Sequence, residues 1–139
     1  MPPDDAQRLE LLARHLATFE APGFSFGDWQ PSWTDAYGVI HLGWYEFSPE
    51  ADAFLADARR GGWVTPFDWG AWLGTPEGRS LSTDPGAIAN ADIAALGHLL
   101  TALVRSERFG DGTLASAHER GILTAIMRRA VQLAAPRRS

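Results

Sequence analysis

Cysteine and lysine are both absent from this chain of 139 residues. Without cysteine, the protein cannot form disulfide bonds or thiolate–metal sites. Because all 12 basic residues are arginine, Schiff-base chemistry on lysine and the lysine-containing phosphate loop are excluded as well. No apolar run approaches the roughly 20 residues of a membrane span, so we expect no membrane partner.

The overall charge is acidic, with a formal net charge of -5 at pH 7, whereas a general nucleic-acid binder is usually basic. The first five residues, Met-Pro-Pro-Asp-Asp, lack the basic start and apolar core of a secretory signal, so we expect a cytoplasmic protein. The length suits a single domain over residues 1–139. We expect its ends, residues 1–5 and 136–139, to be frayed.

The apolar spacing predicts an α+β domain in which helices dominate. Aromatic and β-branched residues predict a small antiparallel sheet over about residues 24–47, with residues 63–65 as a candidate third strand. Apolar residues at helical spacing predict two long helices over residues 91–107 and 113–133, the second divisible at Gly121. We expect these two helices to pair antiparallel and to cover the sheet.

Local signals predict where most other helices begin. A capping residue is followed by proline, which suits the first helical position, at Ser48-Pro49, Thr75-Pro76 and Asp84-Pro85. Asp4 or Asp5 is expected to cap the first helix, and Asp68 a short one that contains Trp69 and Trp72.

The stretch from residue 105 to residue 121 joins the two long helices and concentrates polar side chains. Arg105 and Arg108 are three residues apart, so they share a face at a helix C-terminus, where cations are favourable. Together with free amides of the next helix, they would form an anion-binding corner. Alternatively, Arg108 is buried against Asp68 or Asp111 and clamps the turn. The clamp is favoured, because acids are plentiful here and no phosphate-loop motif supports a site.

Two further groups complete the candidate ligand-binding residues. Adjacent helical residues point about 100° apart, so His118 and Glu119 do not naturally share one ligand, and we expect them to support the helix. Trp63, Phe67 and Trp69 are expected mainly in the core, against the 91–107 helix. A tryptophan pair near Asp68 can also hold a base or sugar ring, but large aromatic side chains are more often simply buried.

The histidines, His15, His41, His98 and His118, are widely separated in the sequence. Since metal sites usually draw on histidines at short spacing or on cysteines, we expect neither a metal nor another cofactor. We also assign no catalytic residue.

Several motifs in the same order resemble a bacterial family catalogued as domain of unknown function 6508. They are Phe26-Gly27-Asp28-Trp29, Gly62-Trp63-Val64 with Phe67-Asp68-Trp69, Asn90-Ala91-Asp92, and the run from Arg105-x-x-Arg108-Phe109 through Gly112-x-Leu114-Ala115 to Gly121. The resemblance covers roughly residues 10–133 and implies a small stand-alone bacterial protein. It supplies no activity and no catalytic residues.

Three functions are compatible with these observations. The first is a non-enzymatic binding or interaction module, with a small anionic ligand or a protein as its partner. The second is a small hydrolase or nucleotide- or phosphate-processing enzyme that uses the Arg105/Arg108 junction together with His118 and Glu119. The third is a nucleic-acid-associated regulator, for which the basic residues are Arg128, Arg129, Arg137 and Arg138. The sequence favours the first and leaves the ligand and the oligomeric state open.

Overall fold

The computed structural model describes residues 3–135. Its helices are α1 (Asp5–Ala13), α2 (Leu16–Glu20), α3 (Pro49–Arg60), α4 (Trp69–Leu73), α5 (Pro76–Thr83), α6 (Pro85–Ile88), α7 (Ile93–Ser106), α8 (Thr113–Glu119) and α9 (Ile122–Ala134). Its strands are β1 (Gly27–Gln30), β2 (Trp33–Thr34), β3 (Ile40–His41) and β4 (Trp44–Phe47). The predicted class, a helix-dominated α+β domain with a small antiparallel sheet, is confirmed.

The predicted helix starts are confirmed by their capping hydrogen bonds. Ser48, Thr75 and Asp84 accept bonds from backbone amides at the starts of α3, α5 and α6, each with proline at the beginning of the helix. Asp4 forms a capping box with Gln7 at the start of α1. Asp4 and Asp5 thus belong to an ordered helix start, while residues 1–2 and 136–139 lie outside the described residues.

The four strands form one β hairpin over residues 27–47. Both ladders keep one register, in which Gly27 lies opposite Phe47 and Thr34 opposite Ile40. Pro31, which has no amide proton to donate, falls where the ladder is interrupted. The sheet therefore occupies most of the predicted 24–47 region.

The candidate third strand at residues 63–65 is wrong. The backbone of this segment bonds to a side chain of α7 instead of to a strand: the Thr101 hydroxyl donates to the Trp63 carbonyl at 3.0 Å and accepts from the Thr65 amide at 3.0 Å. Because these groups are already satisfied, the segment does not need a ladder partner.

The predicted pairing of the two long helices is also wrong. Gly121, with a φ of 80°, separates α8 from α9, as the sequence suggested. The left-handed turn redirects the chain, so that α8 lies on α7 while α9 packs mainly on α1 and also contacts α6 and α2. The buried faces of these helices and of α3 form the core, with α7 contributing the largest share.

Among residues 3–135, no helix combines the length and the hydropathy that crossing a bilayer requires. The expected cytoplasmic location stays a prediction.

Candidate functional site

The junction between α7 and α8 is closed by Glu107. Its carboxylate accepts hydrogen bonds from the Gly112 amide at 2.9 Å and from the Thr113 amide at 3.1 Å. Burial raises the pKa of Glu107 although these amides favour its charged form. The Gly112 and Thr113 amides, which the alternative of an anion-binding corner would use, are thus already occupied by an internal carboxylate.

A cleft of about 550 Å³ lies beside this junction, within the usual size range of small-molecule sites. It is bounded by the C-terminal part of α3, the end of α7 and the start of α8. Its lining consists of Phe47, Leu55, Arg59, Val64, Val104, Arg105, Glu107, Arg108 and Leu114. Apolar side chains and arginines thus meet in one concave surface.

The arginines of this cleft differ from most others in having no side-chain partner. Six arginines in the described part of the chain donate to carboxylates, amide oxygens or backbone carbonyls: Arg8, Arg14, Arg60, Arg120, Arg128 and Arg129. Within residues 3–135, Arg59, Arg79, Arg105 and Arg108 make no such bond and no ion pair, and all of these except Arg79 line the cleft.

The favoured clamp at Arg108 is not formed within residues 3–135, and both candidate acids bind backbone amides instead. Asp68 caps α4 by accepting from the Ala71 amide at 3.1 Å. Asp111 accepts from the backbone amide of Tyr45 at 3.3 Å. Arg108 is exposed. Each acid thus satisfies backbone donors close to it, and the guanidinium is left facing the cleft.

Arg105 and Arg108 also border a second depression of about 290 Å³. The opposite side of this depression is aromatic: it includes Phe67, Trp69 and Phe109, and the rings of Trp69 and Phe109 lie 6.1 Å apart. The two arginines therefore line both the larger apolar cleft and a smaller, more aromatic one.

Trp63, by contrast, is the core residue that the sequence predicted, whereas Phe67 and Trp69, also expected in the core, are only half-buried. Trp63 is fully buried, and its indole N–H donates to the Arg8 carbonyl at 2.9 Å. The Arg8 guanidinium lies 4.4 Å from the centre of the ring. Since its neighbour Val64 lines the cleft, Trp63 supports the site from behind.

His118 and Glu119 lie outside the arginine cleft. The His118 ring packs among Phe19, Phe24 and Phe26 at centroid distances of 5.6, 5.1 and 5.5 Å. Burial lowers the pKa of His118 against an opposing effect of Glu119. Glu119 borders a different depression, beside β1. The pair does not form a shared site.

Two features were missed at the sequence level. Arg59 joins the cleft from α3, and its only local signal is the Arg59-Arg60 pair, which is equally typical of an ordinary helix end.

The second feature is Asp57, which is buried and accepts bonds from Arg14 at 2.6 Å and from His15 at 2.6 Å. Arg60 adds a bond at 3.2 Å to its other oxygen. This cluster joins α1 to α3.

The basic C-terminal end is partly engaged within the fold. Arg128 pairs with Glu20, and Arg129 donates to the Ala91 carbonyl at 2.7 Å. Residues 137 and 138 lie outside the described residues. Because Arg128 and Arg129 already have partners, they do not form a free basic surface, and the third functional hypothesis loses support.

The described residues contain no group of three or more His, Asp or Glu side chains arranged to hold a metal ion. The expectation of a metal-free protein stays a prediction.

Comparison with known proteins adds a family but no activity. No match to this chain was found among curated proteins or among solved structures. A family model described as Family of unknown function (DUF6508) matches residues 4–135. That range includes the hairpin, the cleft and all the helices of the fold. The chain therefore belongs to the Family of unknown function (DUF6508).

Proposed function

We propose that this protein is a non-enzymatic binding module that holds a small anionic ligand in the cleft between α3 and the α7–α8 junction. The observation that carries the proposal is the meeting of Arg59, Arg105 and Arg108, none of them paired within the described residues, around one apolar-lined cleft. Like charges gathered around one cleft repel one another, although solvent weakens the repulsion where the side chains are exposed. An anion that bridges them would relieve this repulsion.

The chemistry of the lining narrows the class of ligand. Guanidinium groups match carboxylates and phosphates by paired hydrogen bonds. The apolar lining, which includes Phe47, Leu55 and Leu114, would bury a hydrocarbon part of the same molecule at about 25 cal/mol per Å² of apolar surface. The aromatic depression on the other side of Arg108 offers a place for a planar ring. We therefore expect an amphiphilic anion rather than a bare inorganic ion.

Binding fits the cleft better than hydrolysis does. Hydrolytic chemistry needs a base within hydrogen-bond reach of the reacting group. Glu107 is the sole acid among the lining residues, and its oxygens accept from the α8 amides. His118 and Glu119, which the enzymatic hypothesis requires, lie elsewhere. The support therefore favours a module that binds without turnover.

The proposal is tested by titrating the protein with phenyl phosphate, octanoate and inorganic phosphate, using calorimetry and thermal melts. Phenyl phosphate and octanoate should bind more tightly than inorganic phosphate. A ligand at about 100 times its Kd stabilises the folded state by about 2.7 kcal/mol. Arg108→Ala and Arg59→Ala should each weaken binding at least tenfold.

Arg79→Ala is the matched control, because Arg79 is also unpaired among the described residues but lies on α5, away from the cleft. Equal affinity in the Arg79 and Arg108 variants, or no binding of any probe, would contradict the proposal. Release of phenol from phenyl phosphate that depends on Arg108 would favour the hydrolase instead.

A further inference from the structure

The β hairpin exposes large apolar side chains to an unusual degree. Only two such side chains in the described part of the chain, Phe109 and Val131, are exposed outside it. The exposed ones on the hairpin are Trp29, Trp33, Tyr37, Val39, Ile40, Leu42 and Trp44. Scattered exposed apolar residues are normal, but a concentration of this kind marks an interaction surface.

The hairpin has one covered face and one uncovered face. Side chains alternate along a strand, and in β4 the half-buried residues are Tyr45 and Phe47, whose rings contact Phe26. Trp44 lies on the opposite face, and the same alternation places Leu42 and Ile40 on that face as well. Trp44, Leu42 and Ile40 are 49%, 82% and 67% exposed. We call this row, with Asp28 and Glu46 beside it, the outer hairpin face.

The outer hairpin face is negatively charged. Asp28 and Glu46 lie directly opposite each other in the ladder, an arrangement that is unfavourable for like charges. Within residues 3–135, Asp28 makes no side-chain bond and Glu46 accepts only from the neutral amide of Gln30 at 3.2 Å. The sequence has no arginine or lysine between Arg14 and Arg59, so no neighbour in the chain neutralises this pair.

We propose that the outer hairpin face docks a segment of another protein that carries apolar side chains flanked by arginine or lysine. The apolar row of Ile40, Leu42 and Trp44 would bury the apolar side chains, and the Asp28–Glu46 pair would bind the cations. Such charge complementarity steers association and fixes the orientation of the partner. This surface lies apart from the arginine cleft, so the proposal does not depend on the proposed function.

The charge also decides against other occupants. Nucleic acid and anionic lipid present phosphates, which Asp28 and Glu46 repel. A second copy of the chain would form a two-fold contact in which the same patch meets itself. Because the patch contains no arginine or lysine, such a contact would leave the Asp28–Glu46 pair without a cation. A partner with both apolar and basic side chains is the occupant that can contact the apolar row and also neutralise the Asp28–Glu46 pair.

The test uses two labelled peptides, one of alternating leucine and arginine and one of alternating leucine and glutamate, in fluorescence anisotropy at low and moderate salt. The leucine–arginine peptide should bind at least tenfold more tightly, with an affinity that falls as salt is added. Leu42→Ser and the double variant Asp28→Asn/Glu46→Gln should each reduce binding at least tenfold. Since Leu42 is 82% exposed, its variant should retain the wild-type melting temperature.

Val131→Ser and Glu10→Gln are the matched controls, because they remove an exposed apolar side chain and an exposed acid on α9 and α1. Binding that these controls weaken equally, or no preference for the basic peptide, overturns the proposal. A wild-type dimer that Leu42→Ser converts into a monomer, measured by light scattering, assigns the face to a second copy and also overturns it. The protein could also bind vesicles of anionic phospholipid. If that binding requires Leu42 but is unchanged in the Asp28→Asn/Glu46→Gln variant, the face is assigned to a membrane and the proposal is overturned.

Discussion

Replacing Trp63 with alanine should destabilise this protein more than replacing any exposed tryptophan of the hairpin. The Trp63 side chain is fully buried and donates a hydrogen bond to the Arg8 carbonyl at 2.9 Å. It therefore joins α1 to the segment that precedes α4, and it contacts α7 at Gly97. Its removal would affect three parts of the fold at once.

The magnitude follows from what surrounds the ring. Truncating a buried aromatic side chain to alanine costs about 3–5 kcal/mol, depending on how well the site can collapse. Here a Cβ built at Gly61 would lie 2.8 Å from the indole Cδ1, and one at Gly97 would lie 3.8 Å from Cε3. Two of the walls are glycines with no side chain to move into the cavity. The loss of the hydrogen bond adds about 1 kcal/mol, so we expect about 4–6 kcal/mol in total.

The assay is urea unfolding followed by far-UV circular dichroism, because removing a tryptophan changes the fluorescence signal itself. Trp63→Phe should cost less, about 1–2 kcal/mol, since it keeps most of the ring and loses the N–H donor. Trp33→Ala is the control: that side chain is 58% exposed, and its loss should cost less than about 1 kcal/mol. A loss below about 1 kcal/mol for Trp63→Ala, with an unchanged m-value, would refute the reasoning.

Two other predictions concern the Asp57 cluster and metal content. Burial alone would raise the pKa of Asp57, but hydrogen bonds from His15 and Arg14 outweigh it and hold the pKa below its usual value. A carboxyl group with a lowered pKa stabilises the folded state at any pH above its unfolded-state pKa. This contribution is lost as the pH falls through the folded-state pKa. Asp57→Asn should therefore cost about 2–3 kcal/mol at pH 7, in the lower part of the range for buried pairs because Arg14 and Arg60 are 47% and 68% exposed. Urea unfolding from pH 7 to pH 3 should show the difference shrinking below about pH 4, and a constant difference would contradict the assignment. Elemental analysis after native purification should find less than one equivalent of zinc, iron or manganese, and a full equivalent that survives dialysis would show that a metal site exists.

The parts of the fold that the sequence predicted are those decided by local chemistry. A cap and a proline act within one turn of a helix, so Ser48-Pro49, Thr75-Pro76 and Asp84-Pro85 could be interpreted without knowing the rest of the chain. The hairpin could be predicted for the same reason, because its paired strands are close together in the sequence. The strand expected at residues 63–65 failed because its backbone partner, Thr101, lies in α7, far along the sequence. The predicted partner of α9 was wrong for the same reason, because no local pattern indicates that α1 lies against it.

The candidate site also has a part that the sequence predicted and a part that it did not. The shared face of Arg105 and Arg108 followed from their spacing, whereas Arg59 comes from a helix whose position only the folded chain fixes. The clamp was wrong because it matched Arg108 to nearby acids by charge alone. Asp68 and Asp111 each had backbone donors closer at hand. Neither the cap that Asp68 forms nor the bond from the distant Tyr45 amide to Asp111 can be inferred from charge, so charge alone is a poor guide to ion pairing at helix ends.

The α7–α8 junction supports both proposed surfaces. Gly112 adopts a φ of 94°, which favours glycine, and a Cβ at this position would lie 2.6 Å from Cζ2 of Trp29. Asp111 receives the Tyr45 amide of the hairpin, while Glu107 closes the start of α8. Gly112 and Asp111 therefore hold the hairpin in place, while Glu107 of the same junction lines the arginine cleft. This explains why the glycines and polar residues between 105 and 121 occur together, although neither Gly112 nor Asp111 lines the cleft: they position the elements that do.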